Sequence, residues 1–547
     1  MLRPYVIFLS FVGIKCLVTT VNGQPQVETK IGKVEGTWRT SFNGRKYAAF
    51  EGIPYAKPPI GDLRFKEPEP IESWSGVWNA TRTYVCIQAT LHLGQVTGDE
   101  DCLYINVYVP KSENEKLLDV VAHIHGGAFM IGSAQEFIGD KYVMDRDLVI
   151  VSFNYRLGAL GFLSTDDEVV PGNNGLKDQA LALKWIQDNI EAFGGNPKSV
   201  TLTGFSAGAA SVHFHYLSPY SKGLFHRGWS ASGTALGKWT LQEEPLKTAR
   251  SLAQIVGCDL KETEKMVECL KTRPASLLVE KTKLCLHTFG LLPCCPLSPV
   301  IEKRGKKPFL ADHPYNLLKQ GKVYDVPWIS SVTKDDGLVI SAMVRTIMDE
   351  TNEKWNEIAG QHLLEYFRSA PQIFDKVKRH YDNDNDGTLN FEELTKIATD
   401  RTFFVPMQTS VELQSKVTKS PIYVYRFNYE GSNSLKALLM LPQEDKGACH
   451  GDDLIYFLGG IIFIPLSEQE VKLKDVCMDI LYAYASKGVP SINGAKWEPV
   501  RKEFVYYDIN GADDIQKRVE TDFHIKKFWD SLELVENDKL TTKKDEL

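Results

Sequence analysis

Apolar and polar residues repeat along the chain with two periods, and these periods predict strands that alternate with helices. Apolar runs at 102–109, 119–124, 148–153 and 200–203 are typical of buried strands. Between the last two runs, apolar residues recur at helical spacing: Leu176, Ala180, Leu183, Ile186 and Ile190. Residues 32–55 alternate between apolar and polar, which indicates antiparallel strands at a sheet edge. The pattern therefore predicts an α/β fold with a central, mostly parallel sheet flanked by helices.

The junction at 199–211 combines a strand-like run with a following run of Ala and Ser that favours a helix. Between the two, Gly204, Ser206 and Gly208 form the pattern Gly-x-Ser-x-Gly. Glycines at these positions leave room for backbone to cross backbone, so a serine on a strained turn can present its hydroxyl above the sheet. Ser206 is therefore a candidate nucleophile, and a helix N-cap serine is the alternative interpretation.

Two consecutive glycines, Gly126 and Gly127, follow the predicted strand at 119–124. Such a pair allows backbone amides to turn inward and point at a substrate oxygen, as an oxyanion hole requires. A plain glycine-rich turn is the alternative. Beside the Ser206 junction, the oxyanion hole is the favoured interpretation.

Length and charge place the chain among large acidic globular enzymes. It has 547 residues, 43% of them hydrophobic, and a formal net charge of -7. A chain of this size buries a large core, and its charge gives no electrostatic reason to bind nucleic acid. Residues 1–23 have a short basic head, an apolar middle and small residues near the end, which predicts a signal peptide. A retained membrane anchor is the alternative, and no later apolar run in the sequence reaches the length of a membrane span.

The sequence ends in Lys544-Asp545-Glu546-Leu547, the retrieval signal that the KDEL receptor reads. Together with the predicted signal peptide, it predicts residence in the lumen of the endoplasmic reticulum. The sequon Asn79-Ala80-Thr81 then predicts a surface glycan on Asn79.

The chain has ten cysteines, which fit an oxidising compartment. Cys16 leaves with the signal peptide, so nine remain and at least one thiol is free. Two pairs lie close in sequence and would each close a short loop: Cys86 with Cys102, and Cys258 with Cys269. The pairing of the others stays open: Cys285, Cys294, Cys295, Cys449 and Cys477.

Residues 382–393 match the twelve-residue calcium loop of the EF-hand at every defining position. Helix-like segments at 373–381 and 392–398 flank this loop. The expected ligands are the side chains of Asp382, Asp384, Asp386 and Glu393, the carbonyl of Thr388, and a water held by Asn390. A solvated acidic loop is the alternative, because the sequence offers no partner loop. The pattern predicts a structural Ca²⁺. No cofactor for catalysis is expected.

Together these motifs resemble the type-B carboxylesterases of the cholinesterase-like α/β-hydrolase superfamily, and within it the insect carboxylesterases. The matching stretches are 51–65, 100–107, 125–129, 154–158, 175–195, 204–208 and 447–454. The resemblance implies one α/β-hydrolase domain at 24–535 with the loop 382–393 embedded in it, followed by a tail at 536–547. The family's loop disulfides fall at the two cysteine pairs that lie close in sequence.

The resemblance also implies a catalytic triad in the chain order Ser, acid, His. Ser206 is the nucleophile, and His450 in the loop 447–453 matches the histidine. Asp336 matches the acid, where the family more often has glutamate, and the neighbouring Asp335 is the alternative. The amides expected to hold the oxyanion belong to Gly126, Gly127 and Ala207.

Departures from the cholinesterases predict the substrate class. Phe205 stands beside the nucleophile where cholinesterases carry glutamate, and no tryptophan lies between Cys86 and Cys102, so a cation–π site for choline is not expected. Trp239 matches a tryptophan that lines the family's acyl pocket, and an ordinary core tryptophan is the alternative. The prediction is a serine carboxylesterase that acts on neutral, lipophilic small-molecule esters through an acyl-enzyme.

Other functions stay open at this point. A juvenile-hormone-type esterase or a lipase is the alternative among enzymes, although Phe205 does not match the glutamine usual in the former. A non-catalytic scaffold protein of the same superfamily is disfavoured because Ser206, Asp336 and His450 are all present. A calcium-buffering protein would need more than one loop. Neither the natural ester nor the oligomeric state is predicted.

Overall fold

The structure of the protein is a computed structural model that describes residues 18–90, 95–112, 116–282, 297–304, 306–359, 371–442, 445–460, 464–492, 494–520, 525–532 and 534. The strands are β1 (Thr19–Val21), β2 (Gln24–Thr29), β3 (Gly32–Glu35), β4 (Thr37–Thr40), β5 (Lys46–Pro54), β6 (Val77–Asn79), β7 (Gln88–Ala89), β8 (Val96–Thr97), β9 (Tyr104–Pro110), β10 (Leu118–Ile124), β11 (Leu148–Phe153), β12 (Gly195–Phe205), β13 (Arg227–Ala231), β14 (Trp328–Thr333), β15 (Ile422–Phe427), β16 (Ser491–Ile492), β17 (Ala495–Lys496), β18 (Phe504–Gly511) and β19 (Asp514–Glu520).

The α-helices are α1 (Asp140–Val143), α2 (Gly158–Phe162), α3 (Asn174–Asn189), α4 (Ala207–Leu217), α5 (Pro245–Ile255), α6 (Thr263–Lys271), α7 (Ala275–Thr282), α8 (Pro314–Lys319), α9 (Leu338–Val344), α10 (Met348–Glu353), α11 (Trp355–Ile358), α12 (Pro371–Tyr381), α13 (Phe391–Thr399), α14 (Val405–Val417), α15 (Leu454–Phe457), α16 (Glu468–Lys487) and α17 (Lys526–Ser531). A π-helical turn, Asp400–Phe404, joins α13 to α14. None of the described helices is long and apolar enough to cross a membrane.

An 11-stranded sheet forms the centre of the fold, in the order β19-β18-β15-β14-β13-β12-β10-β11-β9-β5-β4. From β11 across to β18, neighbouring strands run parallel. The strands β4, β5 and β9 at one edge and β19 at the other pair antiparallel. The predicted mostly parallel sheet with antiparallel strands at 32–55 is therefore confirmed.

The two faces of the central strand β10 enter two separate cores. Val120 and Ala122 belong to a core shared with α3 and α4, whereas Val121 belongs to a core formed with α16. Successive side chains of a strand point to opposite faces, so a strand covered by helices on both sides needs apolar residues at every position. The continuous apolar runs of the sequence have this cause.

Local signals set the bounds of the long helix α16. Ser467 and Glu470 form a capping box at its N-terminus, and Gly488 ends it in the left-handed conformation with a φ of 68°. The capping box satisfies two backbone amides that lack partners in the first turn, and glycine adopts a positive φ without steric cost.

The described residues begin inside the predicted signal peptide. Residues 18–23 include β1, an exposed strand that pairs antiparallel with β2. Residues 1–17 and the predicted tail at 536–547 lie outside the described residues. The signal peptide and the retrieval signal stay predictions.

Parallel strands direct the residues of interest to one edge of the sheet. The turns that follow β10, β12, β13 and β14 at their carboxyl ends carry Gly126, Ser206, Ser232 and Asp336 respectively. Neighbouring parallel strands place their carboxyl ends at the same edge, which is where open α/β sheets bind ligands. Residues far apart in the sequence meet there.

Candidate active site

Ser206 lies on a strained turn between β12 and α4. Its backbone has a φ of 55° and a ψ of -119°, a conformation that non-glycine residues rarely adopt. A Cβ atom on Gly204 would lie 2.3 Å from the Gly208 carbonyl oxygen, and one on Gly208 would lie 2.1 Å from the Ile124 carbonyl oxygen. Both distances are too short for any residue but glycine, so the backbone crossings that the Gly-x-Ser-x-Gly pattern predicts are present.

His450 and Asp336 form a buried pair. The imidazole Nδ1 lies 2.7 Å from Asp336 Oδ1, and the two side chains are 8% and 0% exposed. Asp336 Oδ2 also accepts hydrogen bonds from the backbone amide of Thr333 and the hydroxyl of Ser232, each at 2.9 Å. Three donors therefore fix the carboxylate in a site that excludes water.

The neighbouring carboxylate, Asp335, makes different contacts. Its Oδ2 accepts a hydrogen bond from the backbone amide of Ala448 at 3.2 Å, and its own amide donates to the Ala448 carbonyl at 3.0 Å. Asp335 thus fastens the start of the histidine loop to the end of β14. Of the two aspartates considered from the sequence, Asp336 is the one that hydrogen-bonds to His450.

Phe205 connects the nucleophile turn to the histidine loop. Its ring centroid lies 4.6 Å from that of the His450 imidazole. A Cβ atom on Gly451 would lie 2.6 Å from Phe205 Cζ, so the histidine loop packs directly on this ring. Because Ser206 follows Phe205 in the chain, the structure brings Ser206, His450 and Asp336 to one place.

Gly126 and Gly127 lie beside the nucleophile. A Cβ atom on Gly126 would lie 3.1 Å from Ser206 Cβ, and Gly127 has a φ of 99°. Ala207 is the first residue of α4, where backbone amides have no partner within the helix. All three amides predicted for the oxyanion hole therefore belong to segments that adjoin Ser206.

His125 supports the glycine turn. Its Nδ1 lies 2.9 Å from the Gly126 carbonyl oxygen, and its ring stacks on Tyr155 with centroids 4.5 Å apart. Burial lowers the pKa of His125 to about 4, so the ring is neutral at physiological pH and Nδ1–H can donate to this carbonyl. This contact fixes the orientation of the Gly126 carbonyl in the glycine turn.

Aromatic side chains form a wall around His450. The ring centroid of Phe403, in the π-helical turn, lies 4.8 Å from that of the His450 imidazole, which Phe205 also contacts. The ring centroid of Trp239 lies 6.4 Å from that of Phe403 and 6.3 Å from that of Phe129, and Trp239 is 6% exposed. Trp239 therefore belongs to a continuous aromatic wall that reaches the histidine.

Two of these residues, Ser232 and Phe403, are not predicted from the sequence. Ser232 follows a parallel strand at its carboxyl end, and that position was the one signal that could have drawn attention to it. Phe403 had no such signal, because it lies in a helical stretch with the neighbouring aromatic Phe404 and no recognisable motif.

Both predicted disulfides are present: Cys86 with Cys102, and Cys258 with Cys269. Among the described cysteines, Cys449 and Cys477 are free and buried. The remaining cysteines lie outside the described residues: Cys16, Cys285, Cys294 and Cys295. Asn79 is exposed at the end of β6, where a glycan is sterically possible.

The predicted calcium loop is flanked by α12 and α13, as the sequence indicates. Asp382 and Glu393 are buried, whereas Asp384 and Asp386 are exposed. Within the described part of the chain, no group of three or more His, Cys, Asp or Glu side chains is arranged to hold a metal ion. The predicted ligands are thus near one another in the loop but are not gathered around one point.

The protein is an α/β-hydrolase: its sheet is mostly parallel, and the candidate site lies at the edge formed by the carboxyl ends of the parallel strands. A model of the carboxylesterase family matches residues 23–525. Venom carboxylesterase-6 of Apis mellifera is 39% identical over 535 residues, which cover 94% of this chain and 95% of that protein. Juvenile hormone esterase of Tribolium castaneum is 38% identical over 79% of this chain and 78% of that protein.

A solved structure agrees with these sequence matches. The crystal structure of juvenile hormone esterase from Manduca sexta, with OTFP covalently attached, has a TM-score of 0.82 and 29% identity to this chain. The match covers 93% of this chain and 99% of that one. The chain belongs to the carboxylesterase family, and it is a carboxylic ester hydrolase.

Proposed function

We propose that this protein is a serine carboxylesterase that hydrolyses neutral, lipophilic carboxylic esters through an acyl-enzyme on Ser206. The observation that carries the proposal is the buried hydrogen bond between Asp336 Oδ1 and His450 Nδ1, beside the turn that presents Ser206. A histidine held in this way supports a role as the general base for a neighbouring serine.

In the proposed reaction, Ser206 Oγ attacks the ester carbonyl carbon and gives its proton to His450 Nε2. Asp336 holds the proton on Nδ1 and stabilises the imidazolium that forms. The amides of Gly126, Gly127 and Ala207 donate to the oxyanion of the tetrahedral intermediate. His450 then gives its proton to the leaving alcohol, and a water activated by the same histidine releases the acid and restores Ser206.

The aromatic wall supports a neutral, lipophilic substrate. Phe205 and Phe403 both contact the His450 ring, and Trp239 extends the wall toward Phe129. Apolar surface of this kind favours acyl and alkyl groups over charged ones. Relatives named juvenile hormone esterase keep that hormone's ester within the proposed class.

We also propose residence in the lumen of the endoplasmic reticulum, with retrieval by the KDEL receptor. The two disulfides suit an oxidising compartment, and the sequences at 1–23 and 544–547 suit entry and retrieval. A glycan on Asn79 that stays sensitive to endoglycosidase H is expected in cells, and a resistant glycan would contradict luminal residence.

We propose further that the loop 382–393 binds Ca²⁺, which takes no part in the reaction.

The test uses p-nitrophenyl acetate, butyrate and octanoate with the purified full chain. We expect turnover with an initial burst of p-nitrophenol, and a loss on the order of a million-fold in kcat for Ser206→Ala. Ser251→Ala is the matched control, because the Ser251 hydroxyl donates to the Lys247 carbonyl of its own helix, α5, at the surface. Turnover that survives in Ser206→Ala would refute the proposed nucleophile.

A further inference from the structure

The loop 382–393 contains a buried carboxylate oxygen that lacks a partner. Asp382 is 9% exposed, and its Oδ2 accepts from the Gly387 amide at 2.9 Å, which turns the carboxylate into the loop. Its Oδ1 is buried and has no hydrogen-bond partner among the described residues. Leaving a carboxylate oxygen in this state is unfavourable, and a bound cation would remove the cost.

A second buried carboxylate lies next to Asp382. Glu393 is 4% exposed, and its Oε1 accepts from the amide of Asn383, the residue that follows Asp382. Its Oε2 accepts from the amide of Asn390 at 2.9 Å. Glu393 therefore joins the two arms of the loop, the first arm following α12 and containing Asn383, the second preceding α13 and containing Asn390. Glu393 thus lies near Asp382 through the Asn383 amide, and two buried negative charges in one loop are stabilised by a bound cation.

A side chain from outside the loop fixes its second arm. Asn352 of α10 accepts from the Leu389 amide at 2.8 Å and donates to the Leu389 carbonyl at 3.0 Å. Both main-chain groups of Leu389 are thus bonded to one side chain. The loop is therefore held against the body of the protein although no second calcium loop accompanies it in the described residues.

The helix that leaves the loop packs on the residue after the triad acid. Thr399, at the end of α13, accepts from the Gly337 amide through its hydroxyl at 2.8 Å. A Cβ atom on Gly337 would lie 2.3 Å from the Thr399 amide nitrogen and 2.4 Å from the Thr395 carbonyl oxygen. Since there is no space between α13 and Gly337, a shift of α13 would displace Gly337 and the adjacent Asp336.

The helix that enters the loop is tied to the same region. Tyr381, the last residue of α12, donates its hydroxyl to Asp400 Oδ2 at 2.9 Å and accepts from Trp529 Nε1 at 3.0 Å. Asp400 begins the π-helical turn that carries Phe403, and Phe403 lies 4.8 Å from His450. Both arms of the loop therefore lead to the catalytic pair, one to Asp336 and the other to His450.

We propose that the loop 382–393 binds one Ca²⁺ and that this binding increases turnover, by clamping α12 to α13 and so fixing Asp336 and His450. The linkage rests on the proposed function, since it acts on the same triad. Without the ion, repulsion among the loop carboxylates loosens the contacts of Thr399 with Gly337 and of Phe403 with His450. With the ion, Asp382 and Glu393 are drawn together and the contacts are held.

The test measures Ca²⁺ binding and turnover separately on the full chain. Calorimetric titration with CaCl₂ is compared for the wild type, Asp384→Ala, Thr399→Val and Thr399→Ser. Asp384→Ala removes one exposed ligand, and Thr399→Val removes only the hydroxyl that bonds Gly337. Thr399→Ser keeps that hydroxyl and shows whether the response depends on it. Values of kcat and KM for p-nitrophenyl butyrate are measured in excess CaCl₂ and in EDTA.

We expect one equivalent of Ca²⁺ to bind to the wild type, to raise Tm by about 2 °C or more and to raise kcat about fivefold, with KM unchanged. Asp384→Ala should lose both the binding heat and the response. Thr399→Val should bind Ca²⁺ with unchanged affinity but lose the response of kcat, and Thr399→Ser should keep it.

Three results would overturn the proposal, each in a different part. An active enzyme that gives no binding heat and no change in Tm has no calcium site, and its esterase function stands. Binding without any change in kcat refutes the linkage alone. If no ester is hydrolysed with or without Ca²⁺, the proposed function fails and the linkage with it, while the binding heat still decides whether the loop is a calcium site.

Discussion

Replacing Asp336 with asparagine should invert the tautomer of His450. An asparagine side chain has one oxygen and one NH₂ group, whereas the Asp336 site offers three donors: the Thr333 amide, the Ser232 hydroxyl and His450 Nδ1–H. The Thr333 amide cannot accept a hydrogen bond, so the asparagine oxygen must face it. The NH₂ group then faces His450, whose Nδ1 becomes an acceptor and whose proton moves to Nε2.

The structure sets the size of this effect. The opposite orientation of the amide would press its NH₂ group against the Thr333 amide in a site where Asp336 is 0% exposed. An unsatisfied buried donor costs about 1–3 kcal/mol, which corresponds to roughly a 5- to 150-fold preference for the inverted tautomer. With its proton on Nε2, His450 cannot accept the proton of Ser206. We expect kcat to fall about 10,000-fold, or about 5 kcal/mol in the activation barrier. The inverted tautomer accounts for roughly 5- to 150-fold of this loss, and loss of the carboxylate charge that stabilises the imidazolium accounts for the rest.

The assay is steady-state hydrolysis of p-nitrophenyl butyrate, with folding checked by thermal melting. Asp335→Asn is the matched control, because its oxygen can still accept from the Ala448 amide, and its kcat should stay within about threefold of the wild type. If Asp336→Asn keeps more than about a tenth of the wild-type kcat, or if Asp335→Asn loses activity instead, the assignment of the acid is refuted.

Two further predictions concern stability. Gly208→Ala should destabilise the protein by about 3 kcal/mol or more, because the new Cβ would lie 2.1 Å from the Ile124 carbonyl oxygen. Denaturant unfolding checks this, with Gly511→Ala as a control whose Cβ has its nearest neighbour at 3.8 Å. Burial raises the pKa of Asp453 from 3.8 to about 6, so the native state binds more protons than the unfolded state between these values. The free energy of unfolding should fall by about 3 kcal/mol from this group as pH rises through that window, and Asp453→Asn should remove the fall.

The controls for these two variants are direct. Equal destabilisation by Gly208→Ala and Gly511→Ala would show that the crossing of β10 and α4 is not as close as described. For Asp453, the Tyr425 hydroxyl donates to Oδ2 at 2.6 Å and can donate equally to an asparagine oxygen, so Asp453→Asn keeps this bond. A difference in Tm between wild type and variant that does not change with pH would contradict the titration of Asp453.

Local sequence was sufficient to predict the strand, turn and helix around Ser206. The β-branched run, the two glycines and the helix-forming run lie within thirteen residues of one another at 199–211, and the structure has β12 end at Phe205 and α4 begin at Ala207. Interactions of this range depend on side chains a few residues apart, so the sequence contains them almost completely. The helices that flank the loop 382–393 were predictable for the same reason.

The partners of Asp336 were not predictable from local sequence. Ser232 and His450, which bond its carboxylate, lie 104 and 114 positions away in the chain. Phe403 reaches His450 from a π-helical turn that no motif marks. The order of the parallel strands brings these residues together, and that order depends on which strands pair rather than on any single segment.

Local sequence patterns and the family resemblance were enough to predict the alternation of strands and helices, the turn at Ser206, the two cysteine pairs and the chain order of the proposed triad. Which of Asp335 and Asp336 hydrogen-bonds to His450 could be seen only in the folded chain. Two adjacent residues at the end of a strand differ little in composition or spacing, but their side chains point in different directions. One carboxylate bonds the Ala448 amide. The other bonds His450, because the loop with His450 follows β15, which pairs in parallel with β14 and ends at the same edge of the sheet.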